Sequence, residues 1–185
     1  MRKLKLQMQI TVDGFVAGPE GQLDWMTWDM DEKLLAFINQ LTDTSDTILL
    51  GRKMTEGFIK YWENAITKPE SPEYAFARKM VDTSKVVFSK TLSHVDGKNV
   101  RVENGDLIPA VNKLKSAQGK DIIVYGGAGF VSSLIENGLI DEFNFFVNPA
   151  AIGNGMRIFK DRKPMHLTAS MAYPCGIVVN SYEPK

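Results

Sequence analysis

The order of elements along the chain predicts an α/β fold, and three observations carry that prediction. Two short apolar runs, Thr47–Leu50 and Ile122–Tyr125, each end in glycine and pass at once into residues with helical spacing. Segments of strand and helix character alternate between and around them, with no linker, repeat or low-complexity tract. Near the end of the chain, Met165–Ala172 and Gly176–Tyr182 flank the turn Tyr173-Pro174-Cys175-Gly176, which predicts an antiparallel C-terminal hairpin. A length of 185 residues suits one domain, taken as residues 1–185.

Leu4, Leu6, Met8 and Ile10 alternate with Lys3, Lys5, Gln7 and Gln9, the period of a strand with one buried face. Asp13-Gly14 and Gly18-Pro19-Glu20-Gly21 mark turns, and Phe15 and Val16 between them suggest a loop tucked against apolar surface. Leu34, Leu35, Ile38 and Leu41 give the next helix, Asp31 to Leu41, with acids at its start to suit the dipole. Thr47–Gly51 is a buried strand feeding a helix that reaches Trp62, and Glu73 to Met80 a short helix after the proline-bearing loop. Lys85–Ser89 is a buried strand, Val100–Val102 a short one, and Leu107–Lys115 an amphipathic helix. Ile122–Tyr125 precedes the glycines, the helical spacing resumes at Phe130, and Asn137-Gly138 stops it. Asp141–Val147 is then a strand with alternating faces.

Composition excludes several functions. Lys plus Arg and Asp plus Glu balance at 22 each, which removes the long-range field of a nucleic-acid binder or an anionic-membrane binder. No stretch approaches the roughly 18 apolar residues of a membrane span, and the basic N-terminus does not run into an apolar core like that of a signal peptide. Cys175 is the only cysteine, and His94 and His166 are far apart, so neither a disulfide nor a metal site is expected, and the cytoplasm is the natural compartment.

The segment Asp121–Glu136 organises the chemistry. Gly126, Gly127 and Gly129 let bare backbone approach a ligand, and the helix they open offers free N–H groups to a phosphate; a tight packing turn would use the same glycines. The spacing is neither that of a first-strand dinucleotide fingerprint nor that of a phosphate-binding loop with Gly-Lys-Ser/Thr. Gly51-Arg52-Lys53-Met54 repeats the device with two cations at the electrostatically wrong end of a helix, which makes sense if an anion sits there. Ser89-Lys90-Thr91 is a third polar strand end, and in an open parallel sheet such ends converge on a ligand. Trp25 and Trp28, with Phe15, are candidates for a wall against a planar substrate or simply for covering the core. Asp13, Asp31 and Glu32 are candidate proton donors if burial raises a pKa, Asp13 serving equally as a turn residue before Gly14.

Thr11-Val-Asp-Gly14, Ile48-Leu-Leu-Gly-Arg-Lys-Met54, Val86-Val-Phe-Ser-Lys90, Ile122-Ile-Val-Tyr-Gly-Gly-Ala-Gly129, Leu139-Ile-Asp-Glu-Phe143 and Pro149 with Gly153 and Gly155 stand in an order and spacing that covers nearly the whole chain. Through them the sequence resembles the dihydrofolate reductase-like superfamily, and within it small bacterial proteins related to the reductase domain of riboflavin biosynthesis. The resemblance implies a three-layer fold with a mostly parallel eight-stranded sheet, helices on both faces, an antiparallel C-terminal hairpin, NADPH as cofactor and a homodimer. It also implies that Gly51, Arg52, Lys53 and Met54 form the adenine-side phosphate turn. Ser89 and Lys90 would receive the 2′-phosphate, and Gly126, Gly127, Ala128, Gly129 and Phe130 the pyrophosphate.

Together these readings point to a reductase passing hydride from NADPH to a small pteridine-like or ribosylaminopyrimidinone-like substrate. Hydride chemistry resides in the cofactor, so a site without metal, cysteine or histidine pairs suffices. A nucleotide-binding module without turnover on the same fold is the alternative.

Overall fold

Eight strands form one continuous sheet in the computed structural model, which describes residues 1–185. The strands are β1 (Leu4–Thr11), β2 (Ser45–Gly51), β3 (Ser84–Phe88), β4 (Val100–Glu103), β5 (Asp121–Val124), β6 (Glu142–Asn148), β7 (Met165–Ala172) and β8 (Val178–Pro184). The helices are α1 (Glu32–Asp43), α2 (Arg52–Ala65), α3 (Tyr74–Asp82), α4 (Leu107–Ser116) and α5 (Ala128–Glu136). Across the sheet the order is β4-β3-β2-β5-β1-β6-β8-β7. The first six in that order run parallel, and β8 is antiparallel to both β6 and β7. No helix is long and apolar enough to cross a membrane.

Alternation along the strands divides the core into two apolar layers. Leu4, Leu6, Met8, Leu49 and Val124 face α4 and α5, meeting Val111, Val131, Leu134 and Ile135. Ile48, Leu50, Val87 and Ile123 face the other way, toward Leu41 of α1, Met80 of α3 and Phe58 of α2. Phe146 and Val179 of β6 and β8 meet Leu34 and Ile38 of α1. The result is the expected three-layer arrangement, helices on both sides of a mostly parallel sheet with an antiparallel C-terminal hairpin.

The structure corrects the reading of β1 as a strand with one solvated face. β1 lies between β5 and β6, deep in the parallel part of the sheet, where both faces are covered. Lys5 is only 8% exposed, and its ammonium is held by Asp121 at 2.9 Å and the Thr44 hydroxyl at 2.9 Å. A charge is tolerated there because it is paired. Gln7 and Gln9 on the same face are partly buried. Lys85 on β3 is a second buried lysine, and its ammonium donates to the carbonyls of Met80, Val81 and Thr83 at the end of α3. Burial pushes its pKa down to about 8, against the pull of Glu63 and Asp82. At that position it satisfies carbonyls that the helix leaves without partners.

Candidate functional site

The C-terminal ends of β2, β3 and β5 bring three of the polar segments together. α2 begins at Gly51 and α5 at Gly127, and neither helix start has a side-chain cap. The first N–H groups of both helices are therefore without intrahelical partners or side-chain acceptors. The two starts adjoin: a Cβ at Gly51 would stand 2.6 Å from the Cβ of Phe130, and one at Gly127 would stand 3.9 Å from the Cα of Gly51. Gly127 has φ +83°, a conformation open to glycine and costly for other residues, and this turn starts α5 two residues before Phe130. Met54 lies over the same turn, its sulfur 3.7 Å from where a Cβ on Gly126 or Gly127 would be. Phe130 stacks on Phe88 at the end of β3, centroids 5.3 Å apart.

Arg52 and Lys53 are exposed, and neither makes an ion pair or a side-chain hydrogen bond. Two unpaired cations beside the positive end of a helix dipole repel it, an arrangement relieved by an anion. Ser89 is buried, and its hydroxyl oxygen accepts from the backbone N–H of Thr91 and Leu92. Lys90 is already engaged, donating to the carbonyls of Asn104 and Gly105 and to Asp106. The structure thus leaves Arg52 and Lys53 free to meet a phosphate, and ties Lys90 to the loop before α4. A cleft of about 520 Å³ runs beside Arg52 between α2 and Leu92–Asp96, but Glu56, Glu63 and Asp96 also line it, so it is not a purely cationic site.

Two of the candidate proton donors, Asp31 and Asp13, are structural acceptors. Asp31 caps α1, accepting from the N–H groups of Lys33 and Leu34, and its other oxygen accepts from Cys175 in the hairpin turn. Partial desolvation works to raise its pKa, but these hydrogen bonds outweigh it and the net shift is downward. Asp13 accepts from the Thr11 hydroxyl, which lowers its pKa most, and from the N–H groups of Gly153 and Ile152. The condition for proton donation, a pKa raised by burial, is not met at either carboxyl, since the donors around each shift it downward. Glu32 lies exposed in the first turn of α1.

Of the aromatic candidates, Phe15 is buried with the Arg157 guanidinium 4.1 Å from its ring centroid. Trp25 is partly buried, whereas Trp28 is 67% exposed, so it covers little. Asn148 anchors the loop that carries Trp25: fully buried, it accepts from the N–H of Thr27 at 2.8 Å and donates to Gln9 at 2.7 Å. The loop after β1 is also laced to the segment after β6. Val12 donates to Ala150, Val16 donates to Met156, and Met156 donates back to Ala17.

Sequence reasoning missed the polar groups beneath α1. Tyr125 follows β5, stacks on Phe58 of α2 with centroids 6.0 Å apart, and its hydroxyl lies 3.2 Å from that of Thr42 on α1. Burial pushes its pKa up to about 12, so it stays a neutral phenol. Gln7, Gln9 and Asn148 complete the set; the available signal was a run of uncharged polar residues on a strand in the middle of the sheet.

A profile of the RibD C-terminal domain family matches residues 2–179. The chain belongs to that family. Protein YyaP of Bacillus subtilis (strain 168), itself uncharacterized, is 34% identical over 182 residues, covering 96% of this chain and 92% of that protein. Among solved structures, a putative riboflavin biosynthesis protein from Shewanella sp. PV-4 superposes with TM-score 0.72 at 20% identity, covering 100% of this chain and 99% of that one. Dihydrofolate reductase from Enterococcus faecalis, complexed with NADP(H) and RAB-propyl, superposes with TM-score 0.63 at 13% identity, covering 99% and 96%. Membership of the RibD C-terminal family and the dihydrofolate reductase-like fold agree with the resemblance drawn from the sequence motifs.

Proposed function

We propose that the protein is an NADPH-dependent reductase acting on a C=N or C=O carbon of a small planar substrate, pteridine-like or ribosylaminopyrimidinone-like. One observation carries the reading: two uncapped helix starts adjoin at Gly51 and Gly127, with Arg52 and Lys53 unpaired beside them. That donor set fits a dinucleotide bearing several phosphates. The free N–H groups of the Gly126–Phe130 turn would hold the diphosphate. Arg52 and Lys53, with the Ser89 hydroxyl, would hold the 2′-phosphate. NADPH, when bound, supplies the hydride. The chain's own groups would orient the ring and exclude water. Tyr125 keeps its proton at neutral pH.

A second reading, an NADP(H)-binding module without turnover, is favoured by the two carboxylates held ionised at Asp13 and Asp31. Fluorescence titration of NADPH, followed by its oxidation against a panel of dihydropterins and ribosylaminopyrimidinones, separates the two. Binding with turnover of one substrate supports the reductase, and binding without any supports the module. Arg52→Ala is expected to weaken NADPH by about tenfold and NADH much less, since a charge-assisted bond to the extra phosphate is worth on the order of 1.5 kcal/mol or more. Equal weakening of both would refute the phosphate assignment.

A further inference from the structure

The sheet ends in two edges that are finished differently. β4 closes one side with four residues and carries Arg101 and Glu103, the short and charged form that discourages another chain from pairing. β7 closes the other side with eight residues, Met165–Ala172, among which there is no Lys, Arg, Asp, Glu or Pro. Its only sheet neighbour is β8, and no backbone group of β7 bonds to a residue outside that pair. One register shift, between Leu167 and Ala169, interrupts it and leaves Ala169–Ala172 regularly paired with β8. The faces of β7 are as bare as its edge. Leu167 stands beside Tyr182, on the side that α4 and α5 cover elsewhere, and is 49% exposed. Met171 stands beside Val179, on the side that α1 covers elsewhere, and is 57% exposed. Free N–H and C=O groups between apolar side chains on both faces form a template for one more strand.

The charges at the two ends of β7 select the occupant. Ahead of the strand, Lys160 is paired with Glu136, while Arg162 and Lys163 have no ion-pair partner. Behind it, the N–H of Cys175 in the hairpin turn donates to Asp31, which holds the start of α1 against this end. Asp29 and Glu32 flank that start, both exposed and both without an ion-pair partner. Asp161 and Lys33 lie within the two groups and leave each with a net charge of its own sign. A second copy laid antiparallel along β7 brings the basic end of each strand to the acidic end of the other, twice over by the symmetry of the contact. A parallel copy would set like ends together. We infer that β7 is the seam of a homodimer, pairing antiparallel with β7 of a second copy, with Arg162 and Lys163 of each chain facing Asp29 and Glu32 of the other. The inference stands on this edge and its charges and is independent of the reductase reading.

Sedimentation velocity of the full chain at micromolar concentration should give a particle of two chains. Met171→Lys should raise the dissociation constant of that particle at least about tenfold, since a lysine on an edge strand opposes pairing and the twofold places it there from both copies. Leu167→Lys, on the opposite face, serves with the same expected outcome should the first variant fail to fold. Both positions are about half exposed, so the far-UV circular dichroism of each variant should match the parent's. The alignment is tested by charge exchange. Arg162→Glu with Lys163→Glu in one chain, and Asp29→Lys with Glu32→Lys in another, should each weaken self-association, and an equimolar mixture should restore a dimer holding one chain of each kind, read by native mass spectrometry. A parent that sediments as a single chain, an open-ended series of larger particles, or folded lysine variants that associate as tightly as the parent would overturn the seam. Exchanged chains that fail to rescue one another would overturn the antiparallel alignment.

Discussion

Gly51→Ala tests the junction on which the nucleotide site depends. The added methyl would stand 2.6 Å from the Cβ and 3.1 Å from the Cγ of Phe130, where carbon atoms at rest keep ~3.5–4.0 Å. About 1 Å must be opened. Phe130 cannot give way by rotating its ring, because the nearest atom is its Cβ, fixed to the backbone of α5, and the ring is stacked on Phe88 at 5.3 Å. The start of α5 must move away from β2 and α2 as a unit. Overpacking of this kind costs ~1–3 kcal/mol, which at a urea slope of about 2 kcal/mol/M lowers the midpoint by roughly 1 M. Phe130→Ala keeps the Cβ and cannot rescue the variant, whereas Phe130→Gly removes it and should show favourable coupling to Gly51→Ala in a double-mutant cycle. NADPH affinity should fall in Gly51→Ala as the two helix starts separate. A midpoint for Gly51→Ala equal to that of the parent, or equal coupling to Phe130→Ala and Phe130→Gly, would refute the close-approach argument.

Two further perturbations follow from buried polar groups. The folded pKa of Lys85 near 8 lies below its ordinary 10.5, so between those values the unfolded chain binds the additional proton and Lys85 contributes a rise in stability with pH, at most ~3 kcal/mol. Lys85→Met should lack that rise; melting temperatures of parent and variant that run parallel from pH 7 to 10.5 would contradict it. Asn148→Ala leaves the Thr27 N–H and the Gln9 side chain without their partners, an expected loss of about 2–4 kcal/mol. The freed loop should be cut faster between residues 23 and 31 in limited proteolysis, and an unchanged cleavage rate would count against the anchoring role.

The parallel core was readable because its strands are apolar runs closed by glycine, and both Thr47–Gly51 and Ile122–Tyr125 lie where that pattern places them. Asp31 was legible as a helix start but ambiguous in chemistry: a cap and a proton donor look alike until the N–H groups of Lys33, Leu34 and Cys175 are seen to surround it. β1 misled for a physical reason. Polar residues alternating with apolar ones are the mark of a solvated face, and a covered strand whose second face carries polar side chains such as Lys5 and Gln9, held by protein partners, shows the same alternation. Only the pairing of β1 with both β5 and β6 distinguishes the two, and that pairing is non-local. Lys85 was hidden in the same way, since nothing near it in sequence announces that the carbonyls of Met80 and Val81 turn toward it.

The lacing of the loop after β1 to the segment after β6, with Asp13 spanning Ile152 and Gly153, bears on how such a scaffold could be re-engineered. A chimera that imports only one of the two stretches from a relative would strand amides on the other, whatever the quality of the graft. Residues 12–17 and 150–156 therefore constitute a single transplantable cassette, and libraries aimed at new substrates should diversify them jointly.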